Sequence, residues 1–338
     1  MVEALATASL ALALAGVATL AVLLWRRTVL GRQQQRLAVA EARLRPQAIA
    51  LIEGEPVAIE TDLDDEDARI LAAILSRYAR ALRGEGTARI AAFFEGRDYL
   101  RRELEGLADR RAWRRAASAF ALGDMGSPQA IPALTAALAD DSREVRTAAA
   151  RSLGQLRANG TAQLLVAALG SGSVPRAVAG QALIAIGPEA AGDLHPLLED
   201  PDAAVRRAAA EVLGLIGGPA EAPVLAAAAE DPAAEVRSAA LRALGQVGGR
   251  AESDVVRAAL ADRVPFVRTA AAHAAGRLGD RRAAPALIEQ ARADAYDPAL
   301  AAAFALVRLD PPALLAAAES EDAGPYLGQA ATRARLAA

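Results

Sequence analysis

From Asp109 onward the apolar and polar positions recur with a period near thirty residues. An Arg opens each apolar stretch, at 115, 146, 176, 206, 237 and 268, with spacings of 31, 30, 30, 31 and 31. Six residues earlier stands Asp, at 109, 140, 200, 231 and 262, with Gly170 the exception. Val precedes the Arg at 145, 205, 236 and 267. Gly follows it eight residues on, at 123, 154, 214, 245 and 276, and eleven on, at 126, 187, 217, 248 and 279; Ile184 and Arg157 break these two series. The later Gly fits a left-handed helix end, and the earlier one leaves room for a neighbouring helix. Asp200-Pro201 and Asp231-Pro232 read as an N-cap followed by Pro in the first turn. A shorter apolar segment such as 130–138 completes each unit. The pattern predicts two antiparallel helices per unit. Six such units run from about 109 to 290, and a degenerate seventh, with Leu300 in place of the Arg and Phe304 in its core, closes the end from about 294 to 318. Such units bury their apolar faces only by stacking on neighbours.

The first hundred residues read differently. Ala4 to Trp25 is 22 residues without a charge, with seven Leu, eight Ala and two Val. As a helix this run is about 33 Å long, enough for a hydrocarbon core of about 30 Å. Glu3 precedes it and Arg26, Arg27, Arg32 and Arg36 follow, the reverse of a cleaved secretory signal. An uncleaved transmembrane anchor is expected, with the N-terminus outside the cell membrane and the rest cytoplasmic. The same four Arg are candidates for contact with anionic lipid. Helix continues from Arg26 to about Arg45, where Pro46 is expected to end it. The acidic run from Asp62 to Asp67 lacks the Gly and Glu of a calcium loop, since Asp67 and Ala73 occupy those places. It reads instead as the start of a helix over 66–83, with further helices over 87–95 and 97–107. The expected organisation is an anchor over 1–25, a basic helix and linker over 26–61, a helical cap over 62–108 and the repeats over 109–338.

Composition narrows the chemistry. With no Cys and no Lys among 338 residues, disulfides, thiolate nucleophiles, Schiff bases and phosphate-loop lysines are excluded. His195 and His273 are the two imidazoles. The net charge of -3 splits into -1 at Glu3, +5 over residues 26–45 and -7 beyond, so no nucleic-acid partner is expected. Six of the eleven aromatic rings, Tyr78, Phe93, Phe94, Tyr99, Trp113 and Phe120, gather between 78 and 120, as a cap core or as a docking surface.

The stretch from Asp231 to Gly248, DPAAEVRSAALRALGQVG, resembles the short HEAT repeats of the phycobilisome-lyase type. The fold class implied is an all-α solenoid of six to seven helical hairpins behind one transmembrane helix. In that family Asp and Arg tie adjacent repeats through a polar ladder. The resemblance therefore implies a structural role for Arg146, Arg206, Arg237 and Arg268, partnered by Asp140, Asp200, Asp231 and Asp262, and leaves Arg176 without its Asp. Positions one, five and nine after the marker Arg share a helix face, expected to be concave. They read Thr147, Arg151, Gln155; Arg207, Glu211, Leu215; Ser238, Arg242, Gln246; and Thr269, His273, Arg277. This polar row with an Arg excess suits an acidic or polar segment of a protein partner. Some HEAT-repeat proteins are metal-dependent hydroxylases with paired His-Glu motifs, but here Pro196 and Ala274 follow the two His. The expectation is a scaffold without catalysis or cofactor at the cytoplasmic face. The alternatives are an accessory subunit of a membrane enzyme, for example a glycosyltransferase, and a chromophore lyase.

Overall fold

The computed structural model describes residues 20, 25–27, 35, 37–55, 65–82, 84–96, 98–158, 160–248 and 251–337. Apart from Leu20 and Trp25, the expected anchor lies outside the described residues, as do Arg32 and Arg36. Among the described residues no helix is long and apolar enough to cross a membrane. The chain divides into two units: one reaches Arg102 and includes Asp124–Ser127, and the other comprises Glu103–Gly123 and Pro128–Ala338.

The first unit holds α1 over 37–53, α2 (Asp65–Ala79) and α3 (Glu85–Glu95), and α4 (Asp98–Gly106) begins in it. Pro46 does not end α1, contrary to expectation, because the helix runs through it to residue 53. An interior Pro forfeits one backbone hydrogen bond. Tertiary packing offsets that loss: Leu44 and Ala48, on either side of Pro46, are fully buried. Arg43 pairs with Asp67 and Glu41 with Arg77, which pins α1 to α2. Residues 46–53, expected as the start of the linker, thus continue the helix of a packed unit. Its core includes Leu71, Ile74, Leu75, Ile90 and Phe94. Phe94 stands edge-to-face with Phe93 and Tyr99, at ring-centroid distances of 5.4 and 6.1 Å. The aromatic group therefore splits, since Trp113 and Phe120 belong to the other unit and are 64% and 39% exposed.

In the second unit the long helices, all but the last carrying the marker Arg, form one layer: α5 (Ala112–Met125), α7 (Arg143–Leu156), α9 (Arg176–Ile186), α10 (Ala203–Ile216), α12 (Ala234–Val247), α14 (Pro265–Leu278) and α16 (Tyr296–Leu309). Short helices form the other layer: α6 (Ile131–Ala137), α8 (Ala162–Ser171), α11 (Ala222–Ala228), α13 (Ser253–Ala258), α15 (Ala284–Ala293) and α17 (Pro311–Ala318). In the third repeat that place is taken by a 3-10 segment, Gly192–Glu199, with Pro196 inside it. One Leu per repeat, at 153, 183, 213, 244 and 306, is fully buried between the layers.

Small residues let the long helices touch. A Cβ added to Gly154 would lie 2.5 Å from Ala182 Cα, one on Gly214 would lie 2.8 Å from Ala243 Cα, and one on Gly245 would lie 3.0 Å from Ala274 Cα. This layer, which carries the row expected to be concave, is termed the inner layer. The later Gly of the unit takes the expected positive φ at 126, 187, 248 and 279, but not at 217, where φ is -75°. There the missing side chain serves a close approach instead, because a Cβ would meet the Leu213 carbonyl at 2.6 Å. Pro201 and Pro232 precede their helices rather than entering the first turn. Asp200 and Asp231 each accept a hydrogen bond at 2.8 Å from the backbone N–H two residues on, closing the turn before the helix.

The C-terminal end is closed by a helix that periodicity did not indicate, α18 (Gly324–Ala337). It buries Leu327, Ala330, Ala331 and Ala334. Tyr296 and Tyr326 meet edge-to-face at 5.7 Å, and Arg333 covers the Phe304 ring at 5.3 Å. The seventh hairpin is thus covered in turn and is not the terminal surface.

Candidate partner-binding face

The ladder arginines set the frame for this face. Arg206 donates from Nε and Nη2 to both carboxylate oxygens of Asp231, at 2.7 and 2.9 Å, and from Nη1 to the Asp200 carbonyl at 2.7 Å. Arg237 repeats this on Asp262, at 2.8 and 2.9 Å, and on the Asp231 carbonyl at 2.9 Å. Arg115 does so on Asp140, at 2.7 and 2.8 Å, and on the Asp109 carbonyl at 3.0 Å, while Arg268 forks onto Asp294 and the Asp262 carbonyl. The register expected from sequence is corrected. The Asp six residues upstream offers only its carbonyl, and the carboxylate partner is the Asp of the following repeat. The reason is geometric: the upstream Asp turns its carboxylate to its own helix start, as at Asp202, Ala233 and Val264. Asp294, absent from the expected set, is a full member.

The ladder is interrupted in the middle. Gly170 stands where the third Asp belongs, so Arg146 donates to the Ser173 carbonyl at 2.9 Å and to the Asp140 carbonyl at 2.8 Å. Arg176 is not without a partner, but its carboxylate is Asp202, at 2.5 Å, in place of Asp200.

The ladder carboxylates titrate below the ordinary value near 3.8. At Asp140 and Asp294 the first cause is the hydrogen bond from Arg115 or Arg268. At Asp231 and Asp262 burial is the largest single influence and pushes upward, but the guanidinium, the backbone N–H and the surrounding positive charge together outweigh it. A depressed folded pKa gives stability that is present above the unfolded value and lost as pH falls through the folded one. Helicity followed by circular dichroism should hold from pH 7 to about 4 and collapse below it. Asp262→Asn, uncharged throughout, should flatten part of that acid limb; an unchanged limb would contradict the ladder's role.

The residues of the row expected to be concave lie on the long helices. Arg151, Arg207, Arg242, Gln246, His273 and Arg277 are exposed, Thr147, Gln155, Glu211 and Thr269 are half-buried, and Ser238 is buried at 2%. Ser238 accepts from Arg242 at 2.8 Å, which aims that guanidinium rather than offering a contact of its own. Glu211 pairs with Arg207 at 2.9 Å and lies 3.8 Å from Arg242. The Arg151 guanidinium covers the Phe120 ring at 5.5 Å, and no carboxylate of the described residues pairs with it or with Arg277. Packing around its ring, and then Arg277, hold the His273 imidazole below its usual pKa, so it is neutral at pH 7. The row is therefore four Arg against one Glu. Leu215, at position nine of the fourth repeat, is 60% exposed and adds an apolar point.

The third repeat contributes a feature that sequence reading passed over. Its positions one, five and nine are Ala177, Gln181 and Ala185, and a cavity of about 420 Å³ opens there. Among the described residues no three His, Asp or Glu side chains converge as a metal site requires.

No curated protein matches the chain. Among solved structures, human deoxyhypusine hydroxylase is 22% identical, with 81% of this chain and 98% of that one covered and a TM-score of 0.33. The phycocyanin lyase complex of CpcE and CpcF from Nostoc sp. PCC7120 is 23% identical, with 78% and 94% covered and a TM-score of 0.30. YibA of E. coli is 18% identical, with 82% and 98% covered and a TM-score of 0.43. The family model for HEAT repeats matches residues 102–184, 173–245 and 222–308, which together span more than half of the chain. The Arg-marked helical hairpins and this match agree: the chain belongs to the HEAT-repeat family.

Proposed function

We propose that the protein is a scaffold without catalysis of its own, held at the cytoplasmic face of a membrane by residues 4–25, whose inner row receives an acidic segment of another protein. The observation that carries this reading is the charge of that row, with Arg151, Arg207, Arg242 and Arg277 exposed against Glu211 alone. The remainder of the chain beyond residue 45 is net acidic, so a basic strip on the inner layer is a local feature with its own cause. Exposed arginines on a rigid helical surface recognise carboxylates through paired donors and steer association. Arg26 and Arg27, with Arg32 and Arg36, would add contact with anionic headgroups beside the span.

Proximity labelling from native membranes tests the proposal. A defined set of neighbours is expected for the parent chain, and it should be lost when Arg151, Arg207 and Arg242 are all changed to Glu. Retention of the same neighbours by that variant, or labelling of none by the parent, would sink the reading. Replacing residues 4–25 with an unrelated span should leave the neighbour set unchanged. Its loss would favour a subunit bound sideways to a membrane enzyme.

A further inference from the structure

The inner surface is not uniform along the stack. Between α7 and α9 lies a trough of about 420 Å³. Its floor is the point where Gly154 and Ala182 bring the two helices together, a Cβ on Gly154 being 2.5 Å from Ala182 Cα. Arg151 and Gln155 form one wall, and Val178, Gln181 and Ala185 form the other. The trough exists because positions one and nine of this repeat are Ala177 and Ala185. The repeats that follow carry Arg207 and Leu215, Ser238 and Gln246, and Thr269 and Arg277 at those places. Alanine at both positions leaves an apolar slot where the others present longer or polar side chains.

Two further observations fall at the same junction. Arg151 lines the slot beside Gly154 and Gln155, its guanidinium resting over Phe120 at 5.5 Å, and no carboxylate among the described residues neutralises it. The ladder is also interrupted here, Arg146 reaching the Ser173 carbonyl at 2.9 Å in place of the two-pronged carboxylate pair that ties later repeats. A junction with fewer cross-links between repeats adjusts its width at lower cost than its neighbours.

We infer that this trough is the anchor point of the inner row, taking a leucine-like aliphatic side chain from a partner segment whose flanking carboxylates meet Arg151 and the arginines beyond. The inference rests on the acidic-segment reading of the row and adds a position and an apolar requirement to it. Charge complementarity selects this occupant: the row that continues from the trough carries Arg207, Arg242 and Arg277 against Glu211, so a basic or neutral segment with the same leucine is disfavoured. A buried apolar anchor with a charged surround is the arrangement in which one side chain dominates affinity.

The test is fluorescence anisotropy on the purified full chain with three labelled nine-residue peptides. One has a central leucine among aspartates and glutamates, the second replaces that leucine with serine, and the third keeps the leucine among lysines. The acidic leucine peptide should bind at least tenfold more tightly than either of the others. Ala177→Trp, made from an exposed position so that the ring fills the slot, should bring the two acidic peptides to equal affinity with an unchanged melting temperature. Equal binding of the two acidic peptides by the parent chain overturns the trough while leaving the acidic row in place. Persistence of the leucine preference in Ala177→Trp also overturns it. Binding of none of the three removes the row reading and the trough together. The comparison of peptides on the parent chain needs no variant, so it decides the matter even where Ala177→Trp folds poorly.

Discussion

Arg237→Met is expected to lower the unfolding free energy by about 3 kcal/mol, the cost of leaving one half of a desolvated pair behind. Arg237 is 8% exposed and is the most buried arginine of the ladder. It spans two repeats, with both oxygens of Asp262 on one side and the carbonyls of Asp231 and Pro232 on the other. Met keeps most of the stem, so the loss isolates the guanidinium rather than the packing. Much of the penalty comes from Asp262, whose carboxylate retains, among the described residues, the Val264 N–H at 2.8 Å. Adding Asp262→Asn should therefore recover part of the loss, and a double-mutant cycle in chemical denaturation would show the coupling. Because each repeat rests on its neighbours, hydrogen exchange should rise at α12 and α14 first. Additive single and double variants would contradict the pair's role.

Gly214→Leu is expected to cost a similar amount, about 3 kcal/mol, by the opposite mechanism of overpacking. A Cβ at 214 already lies 2.8 Å from both Ala243 Cα and Cβ and 2.7 Å from Gln246 Oε1. The glutamine can swing away, but the Ala243 backbone moves only if α10 and α12 separate. Gly192→Ala is the matched control, since a Cβ there meets nothing within 4 Å and φ is not positive. It should melt within a degree or two of the parent, a change of a few tenths of a kcal/mol. A tolerant Gly214→Leu would mean that the inner layer is looser than its geometry indicates.

The helical layout was largely readable from sequence because its signals are local and repeated. Helices expected over 87–95 and 97–107 occur as Glu85–Glu95 and Asp98–Gly106, and the Arg-marked hairpins follow in order. What escaped depends on neighbours. The six-residue spacing of Asp140 and Arg146 suggests a pair, yet the carboxylate answers to Arg115 of the repeat before, a relation that no single unit displays. Pro46 carries a strong local stop signal, which the burial of Leu44 and Ala48 overrides. α18 follows the last period and has no marker to announce it. The trough was invisible for a different reason. Ala177 and Ala185 look like two more alanines in an Ala-rich chain, and their effect comes from the side-chain bulk that they leave out beside α7.

The inner row is the central claim, and site-directed photo-crosslinking in native membranes tests it most directly. A photoreactive residue at Gln246, exposed on the inner layer, is compared with one at Gln163, exposed on the short helix α8. The account predicts a discrete protein adduct from position 246 alone, abolished when Arg151, Arg207 and Arg242 are changed to Glu in the same full-length chain. Equal adducts from position 163, or an adduct at 246 that survives the charge reversal, would contradict it.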